Sequence, residues 1–195
     1  MTTTRVIGLY SPAPQQGKTT VAKYLKKHHG FQIVSFATPL KRMVTQFLHG
    51  MGHSPAEIEH YLTEGKSRRI PEIGVDTRHI LRTLGYEWGR ECIHPEVWVQ
   101  MWERQVKQHL AKGISVVSDD VRFPNEYEAL FRLSSPRPLN AAFWRITRSE
   151  IYDTQDHPSE GFAENGLFKT HAEIHNYGTE AELEQQVEQL LSEES

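Results

Sequence analysis

The sequence predicts an α/β fold in which a mainly parallel sheet is sandwiched by helices. Short apolar runs typical of strands alternate along the chain with segments of helical periodicity, and this alternation is typical of parallel sheets covered on both faces. A chain of 195 residues has room for one such domain. Within it we expect a mainly helical insertion at about residues 39–112 and a mobile, polar flap at residues 149–170.

Four apolar runs of five or six residues are the predicted strands. Each is rich in β-branched or aromatic side chains and ends at polar or turn-forming residues. In parallel sheets ligands bind beyond the carboxyl ends of the strands, so site residues are expected just after each run. The predicted strands are Arg5–Tyr10, Phe31–Phe36, Ile114–Ser118 and Ala142–Thr147.

Helical segments fill the intervals between these strands. Thr38 before Pro39 is a plausible helix cap, and the pairs Ser54/Glu57 and Thr179/Glu182 have capping-box spacing. The predicted helices cover about residues 19–28, 39–49, 80–88, 95–113 and 125–133, and two more begin at 54 and 179.

Composition excludes several classes of protein. With 37% hydrophobic and 10% aromatic residues the chain is too apolar to be disordered. No apolar run approaches the length of a membrane span, and the first residues lack the apolar stretch of a secretory signal. Cys92 is the single cysteine, and we expect it to be buried. A single cysteine cannot form an internal disulfide, which fits a reducing cytoplasm.

Charge argues against a duplex nucleic-acid partner but permits a phosphorylated small molecule. The formal net charge is -3, whereas a dedicated duplex binder normally carries a basic excess. The last 16 residues hold six of the 25 acidic side chains and no Lys or Arg. The body of the chain therefore carries 22 basic against 19 acidic residues, a balance that suits anionic nucleotides.

A phosphate-binding loop is predicted after the first strand. The segment Ser11–Thr20 ends in Gly17-Lys18-Thr19-Thr20 and leads into a helix, which is the context that the P-loop motif requires. Backbone N–H groups from Gln16 to Thr20 are expected to bind the phosphates of ATP, with Lys18 on the β- and γ-phosphates and the Thr19 hydroxyl on Mg²⁺. Pro12 stands where the motif has its first glycine. An ordinary turn with an exposed lysine is the alternative.

The later strand ends add carboxylates and cations. Asp119, Asp120 and Arg122 follow the third predicted strand, where carboxylates beside a P-loop hold Mg²⁺ or its waters; a polar turn capping the next helix is the alternative. Lys41 follows the second strand and Arg148 the fourth. An arginine on a closing flap can stabilise a transferred phosphoryl group, with a solvated basic turn as the alternative.

Several further segments of the chain form recognisable motifs. The most specific are Glu87-Trp88-Gly89-Arg90 and Asp120–Glu126. The others are Phe36-Ala37 with Pro39–Lys41, Thr77-Arg78, Thr83–Gly85, Pro95–Val99, His157 with Ser159-Glu160, and Asn176 with Gly178–Glu180. Read in order, these segments resemble the phage-type deoxynucleoside monophosphate kinases. The resemblance implies a P-loop kinase fold, transfer of the γ-phosphate of ATP to a deoxynucleoside monophosphate for DNA precursor synthesis, a homodimer, and a phage-infected or bacterial cytoplasm.

The resemblance also implies roles for individual residues. Trp88 and Trp98 could wall a base pocket by stacking, with core packing as the alternative. Thr38 stands where related sequences often carry an acidic residue, so a general base is not expected there. Arg82 stands where they often carry Gln, so the base specificity is expected to differ. The implied catalytic residues are Lys18, Asp120, Arg122 and Arg148, with Thr19 and Asp120 on the metal. The implied substrate-binding residues are Lys41, Arg78, Arg82, Trp88, Arg90, Glu126, His157 and Glu160.

Three alternatives to this function stay open. The acceptor could be a modified nucleotide, a nucleoside or a dephospho-coenzyme on the same scaffold. The loop also resembles that of partition-type ATPases, although residues 12–16 lack their additional lysine. A nucleotide-binding protein without catalysis is the third alternative. His171 and His175 have i,i+4 spacing, which is weak evidence for a metal site because a third ligand is missing.

Overall fold

The computed structural model describes residues 4–133, 140–148 and 168–193. These residues form two compact units. The first is built from the chain up to Phe36 and from Trp102 onward, and the second from Ala37–Met101. The predicted helical insertion, residues 39–112, overlaps the second unit but extends beyond it at its carboxyl end.

The first unit contains a five-stranded parallel sheet, which confirms the predicted α/β class. Its strand order is β2-β3-β1-β4-β5, and every neighbouring pair is parallel. Since β1 is flanked by β3 and β4, the order reverses beside its carboxyl end, and such switch points are where ligands bind in open α/β sheets. The strands are β1 Arg5–Tyr10, β2 Gln32–Ile33, β3 Val116–Ser118, β4 Asn140–Thr147 and β5 Ala172–His175.

Helices cover the sheet and form the second unit. In the first unit, apolar residues of α1 and α7 pack with β1 and β4 in one buried cluster that includes Ile7, Leu25, Trp144 and Val187. Burial of these side chains is the main stabilising term for the sheet. The helices are α1 Lys18–His29, α2 Thr38–Gly50, α3 Pro55–Leu62, α4 Thr77–Thr83, α5 Val97–Leu110, α6 Pro124–Arg132 and α7 Glu180–Glu193, with a π-helix at Leu84–Ile93.

The caps of these helices agree with the sequence at two of three predicted starts. Ser54 and Glu57 form the capping box of α3, and Thr179 and Glu182 bond reciprocally at the start of α7. Thr38 is not a cap: Ala37 holds the N-cap position of α2 without a side-chain bond, and Thr38 is the first helical residue. The proline that follows already supplies the helical φ at this start.

In the second unit an α-helix and a π-helix lie where the sequence predicted one continuous α-helix. Residues 80–88 were expected to continue one α-helix, but α4 ends at Thr83 and a π-helix follows. A Cβ atom on Gly89 would lie 2.3 Å from Cζ2 of Trp98, and the indole nitrogen of Trp98 donates a 2.7 Å hydrogen bond to the carbonyl of Gly85. The wider turn of the π-helix therefore lies against a buried indole ring.

Three further expectations were wrong. The sheet has a fifth strand, β5, where the sequence predicted only four strands. The second strand is only two residues long, because its pairing with β3 ends at Ile33, with one more hydrogen bond from the N–H of Val34 to the carbonyl of Val117. Cys92 is exposed rather than buried, since it lies at the end of the π-helix among the exposed residues 91–94.

The last three residues of the predicted flap, 168–170, lie in the described part of the chain, and the flap itself stays a prediction. Phe168 is buried and stacks on Tyr127, with 4.4 Å between the ring centroids, and the backbone N–H of Lys169 donates to the Tyr127 hydroxyl. The end of the proposed flap is therefore packed on α6, while residues 149–167 lie outside the described part. Within the described ranges, the model contains no helix that is both long and apolar enough to span a membrane.

Candidate functional site

The loop between β1 and α1 is the centre of the candidate site. Gly17 has a φ of 113°, in the region that glycine adopts without strain, and it directly precedes the first residue of α1. The α1 start has no side-chain cap and no acidic residue in its first turn. Its first N–H groups lack helical acceptors, so this end of the helix suits an anion such as phosphate.

Lys18 is turned toward its own loop. Its Nζ donates to Oγ of Ser11, and that hydroxyl in turn donates to the carbonyl of Ala13 at 2.7 Å. Ser11 is buried at the end of β1. The ammonium group therefore lies close to the loop backbone, and its contact with the phosphates stays a prediction.

Gln16 and Asn176 fix the loop to the neighbouring strand ends. Oε1 of the buried Gln16 side chain accepts a hydrogen bond from the backbone N–H of Arg148. Nδ2 of Asn176 donates to the Gln16 carbonyl at 2.9 Å. The side-chain oxygen and the carbonyl of Gln16 are thus used within the protein, so its predicted phosphate contact would come from one of its N–H groups. Asn176 was part of the resemblance, but nothing in its sequence context indicated a loop contact.

Two carboxylates lie at the carboxyl end of β3. Oδ1 of Asp119 accepts from the Ser35 hydroxyl at 2.5 Å, and Oδ1 of Asp120 accepts from the backbone N–H of Phe36 at 2.9 Å. Both residues are half-buried. Neither caps α6, because the cap is made by Glu126, whose Oε2 accepts from the backbone N–H groups of Arg122 and Phe123. The capping alternative for Asp119 and Asp120 is therefore wrong.

A buried tryptophan supports the strand ends that carry these carboxylates. Nε1 of Trp102 donates to the carbonyl of Val34 at 3.0 Å and to Oγ of Ser118 at 2.7 Å. Its ring stacks on Phe36 with 4.6 Å between centroids. These contacts join the ends of β2 and β3 through one rigid side chain, so the segment holding Ser35 and the segment holding Asp119 are fixed relative to each other.

The arginines near the ends of β3 and β4 lie in different environments. Arg122 and Arg148 are exposed, whereas Arg145 pairs with Glu173 at 3.4 Å. Glu126 is buried and belongs to the cap of α6, so a substrate contact by this carboxylate stays a prediction. His157 and Glu160 lie outside the described residues.

The second unit carries the remaining predicted substrate residues. Arg90 is buried and donates to the carbonyl of Pro95 at 3.1 Å. Nε of Arg78 is buried without a hydrogen-bond partner among the described residues. Trp98 is a core residue, but Trp88 is 42% exposed, with its ring 6.2 Å from that of Trp98. Lys41 and Arg82 are exposed. Of the two tryptophans, only Trp88 therefore offers an accessible face for stacking on a base.

The oxygen donors near the loop fit Mg²⁺. The first unit offers the carboxylates of Asp119 and Asp120 and the hydroxyl of Thr19, all hard oxygen donors. The described part of the chain contains no cluster of three or more His, Cys, Asp or Glu residues, so neither His171 nor His175 belongs to such a group. A magnesium ion bound with a nucleotide needs only one or two protein oxygens, because phosphates and water supply the rest.

Comparison with known proteins supports the resemblance seen in the sequence. No protein-family model matches the chain. Over 104 residues it is 28% identical to the deoxynucleoside-5'-monophosphate kinase of Escherichia phage T5. That match covers 52% of this chain and 40% of the phage protein, so the chain spans less than half the length of this relative.

Two solved structures are similar over almost the whole chain. One is a candidate kinase from Chloroflexus aurantiacus, 15% identical with a TM-score of 0.49 and coverage of 100% of both chains. The other is an unliganded sugar kinase from Janibacter sp. HTCC2649, 13% identical with a TM-score of 0.48 and coverage of 97% and 95%. The phage match confirms the predicted resemblance to deoxynucleoside monophosphate kinases. The five-stranded parallel sheet flanked by helices agrees with the predicted fold class, and the Gly-Lys-Thr segment lies between β1 and α1 as predicted.

Proposed function

We propose that this protein is a kinase that transfers the γ-phosphate of ATP to a deoxynucleoside monophosphate with the help of Mg²⁺. The observation that carries the proposal is the loop ending in Gly17-Lys18-Thr19 at the switch point of the sheet. The carboxylates that follow β3, the strand next to β1, add the charge that a magnesium nucleotide requires. The similarity to the phage T5 enzyme supports the class of acceptor.

The first unit would bind ATP. Backbone N–H groups of residues 16–20 bind its phosphates, and Lys18 neutralises the β- and γ-phosphates. Thr19 and Asp120 would hold Mg²⁺, which, when bound, neutralises charge that develops on the transferred group. Arg122 and Arg148 add positive charge at the ends of β3 and β4. Positioning and charge neutralisation of this kind are the main contributions of a protein to phosphoryl transfer.

The second unit would bind the acceptor. It carries four of the cations that the resemblance assigns to the substrate, and the exposed Trp88 indole can stack on a base. Arginine suits the monophosphate group because its guanidinium can make two parallel hydrogen bonds to phosphate oxygens. The cations are Lys41, Arg78, Arg82 and Arg90.

A kinase for another acceptor is the second candidate. Arg82 is exposed and stands where sequences of the resembled family often have Gln. A charged guanidinium in place of a neutral amide alters the hydrogen bonds available to a base, since it donates and cannot accept. A modified deoxynucleotide would suit this change better than a nucleoside, because the second unit retains its cations for a phosphate.

A panel of acceptors tests the proposal. Purified protein is incubated with Mg²⁺ and ATP and with each deoxynucleoside monophosphate, its ribonucleotide counterpart, the parent nucleoside, dephospho-coenzyme A or buffer. Release of ADP with one or more deoxynucleoside monophosphates and not with buffer supports the proposal. Release without any acceptor would instead support an ATPase, and ATP binding without release under any condition would support a binding protein.

A further inference from the structure

The side chain of Asn176 lies against the peptide that joins Gln16 to Gly17. Its Nδ2 donates a 2.9 Å hydrogen bond to the Gln16 carbonyl, and a Cβ atom on Gly17 would lie 2.5 Å from the same nitrogen. The backbone N–H of Asn176 donates to the carbonyl of Thr147 at 2.7 Å, which anchors the residue to the end of β4. The amide group is thus held at a fixed position beside the phosphate loop.

This contact determines which way the Gly17 N–H faces. In a trans peptide the C=O and N–H bonds point in opposite directions. Because the Gln16 carbonyl faces Asn176, the N–H of Gly17 faces away from Asn176. Glycine tolerates a wide range of backbone angles, so the loop sequence alone does not hold this peptide in one orientation.

A second contact restrains the same residue from the neighbouring strand. Oε1 of Gln16 accepts from the backbone N–H of Arg148, directly after β4. Gln16 is therefore held at its side chain by the end of β4 and at its carbonyl by Asn176, directly after β5. Two strand ends on one side of β1 position a single peptide of the loop.

The loop composition makes this peptide important. Pro12 and Pro14 have no N–H group to offer a phosphate. Between Pro12 and Lys18 the remaining backbone donors are those of residues 13, 15, 16 and 17. With fewer donors available, the loss of any one of them removes a larger share of the phosphate contacts.

We propose that Asn176 is a positioning residue for nucleotide binding, which directs the Gly17 N–H toward the phosphates by holding the Gln16 carbonyl. Asn176 itself would not touch the nucleotide. The inference rests on the ATP-binding part of the proposed function, and it assigns the loop a support that lies about 160 residues away in the chain. The class of ligand it concerns is the polyphosphate group of the nucleotide rather than the base.

Two substitutions at Asn176 and one control test this role. Asn176→Asp keeps the size of the side chain but replaces the donor by an acceptor that faces the Gln16 carbonyl, and Asn176→Ala removes the side chain. Gln186→Ala is the control, because Gln186 makes two 2.9 Å hydrogen bonds to the backbone of His175, the residue before Asn176. It disturbs the same segment without touching the loop.

The dissociation constants of ATP and of inorganic tripolyphosphate are measured by calorimetry, together with the melting temperature and the KM of the acceptor. Both Asn176 variants are expected to weaken the binding of ATP and of tripolyphosphate by the same factor. The dissociation constants should rise about tenfold or more, as for the loss of a hydrogen bond to a charged group. The KM of the acceptor should change by less than about twofold, because no acceptor contact is altered. Gln186→Ala should lower the melting temperature but leave both dissociation constants unchanged.

The inference is overturned if both Asn176 variants bind ATP as tightly as the wild type does. It is also overturned if Gln186→Ala lowers the affinity for ATP as much as the Asn176 variants do. A loss of affinity for ATP but not for tripolyphosphate would also overturn it, since the effect would then concern the base. A wild-type protein that binds ATP but phosphorylates no acceptor would contradict the proposed function alone. Wild-type transfer combined with unchanged ATP affinity in the Asn176 variants would contradict the inference alone.

Discussion

The hydroxyl of Ser35 donates a 2.5 Å hydrogen bond to Oδ1 of Asp119, which ties the segment after β2 to the segment after β3. A similar tie runs from the backbone N–H of Phe36 to Oδ1 of Asp120. Both bonds need only an acceptor oxygen, and the side-chain oxygen of asparagine can accept them as well as a carboxylate can. Mutation of either aspartate to asparagine can therefore remove the negative charge and keep the hydrogen bond.

Asp120→Asn should impair catalysis without unfolding the protein. If Asp120 holds Mg²⁺ or its waters, loss of the charge should raise the Mg²⁺ concentration for half-maximal activity roughly 10- to 100-fold. The melting temperature should change little, because the bond to Phe36 can persist. The measurement is activity against Mg²⁺ concentration. Ser35→Ala is the control, because it removes the hydrogen bond to Asp119 but keeps the charges of Asp119 and Asp120. An unchanged Mg²⁺ requirement would show that Asp120 is not a metal ligand.

Gly89→Ala should destabilise the second unit. An added Cβ would lie 2.3 Å from the buried indole of Trp98, and overpacking of this kind costs about 1 to 3 kcal/mol. The backbone of Arg90 would move with it, so the KM of the acceptor should rise while ATP binding is unchanged. Denaturant unfolding and steady-state kinetics measure the two effects.

The matched control for this change is Gly50→Ala. Gly50 ends α2, and a Cβ atom there would have no atom within 4 Å apart from its own neighbours in the helix. Alanine is favoured over glycine in a helix, so this variant should be as stable as the wild type or slightly more stable. Equal stability of Gly89→Ala and the wild type would contradict the close packing of Trp98 on the π-helix.

Glu188 joins α7 to α1 and should make stability depend on pH. Its Oε1 lies 2.7 Å from the Tyr24 hydroxyl and 2.6 Å from Nε2 of His29. The hydrogen bond from Tyr24 is the largest cause, and together with that of His29 it holds the pKa of Glu188 below its ordinary value of 4.5. The same contact raises the pKa of Tyr24 to about 12.

The sign of the effect follows from these shifts. Because the folded-state pKa of Glu188 is lowered, its contribution to stability is present above pH 4.5 and is lost as the pH falls through the folded-state pKa. Glu188→Gln should therefore lower the melting temperature at pH 7, and its difference from the wild type should shrink toward pH 3. The raised pKa of Tyr24 implies that its contribution is full below pH 10 and lost near pH 12.

Melting temperatures of the wild type and Glu188→Gln between pH 3 and pH 8 give the direct comparison. Glu184→Gln removes the same charge one turn earlier on α7 and serves as the control. If the difference between wild type and Glu188→Gln were as large at pH 3 as at pH 7, the hydrogen bonds of the carboxylate would not be its source.

The sequence was most informative where the local signals were strong. β1, α1 and the loop between them were predictable, because an apolar run, a Gly-Lys-Thr segment and a helical pattern follow one another directly. β5 was not, since Ile174 is the only fully buried residue of its four and so short a strand has no clear alternation. Its place in the sheet depends on pairing with β4, a contact that local sequence does not encode.

The candidate site could be predicted for residues that lie in motifs but not for residues that hold others in place. Lys18 and Asp120 belong to recognisable motifs. Asn176, Ser35 and Trp102 matter because tertiary structure brings them to the ends of neighbouring strands. The π-helix was missed for a similar reason, since the indole of Trp98 occupies the space at Gly89 only in the folded unit.

The central claim is that the protein transfers the γ-phosphate of ATP to a deoxynucleoside monophosphate and that Lys18 of the phosphate loop is required for this transfer. The most direct measurement follows γ-labelled ATP with the best acceptor of the panel, using wild type, Lys18→Ala and the control Lys26→Ala, which alters an exposed residue of α1. Label should appear in the deoxynucleoside diphosphate with wild type and Lys26→Ala, and the rate should fall roughly 100-fold or more in Lys18→Ala. Label released only as inorganic phosphate, or full transfer by Lys18→Ala, would contradict the claim.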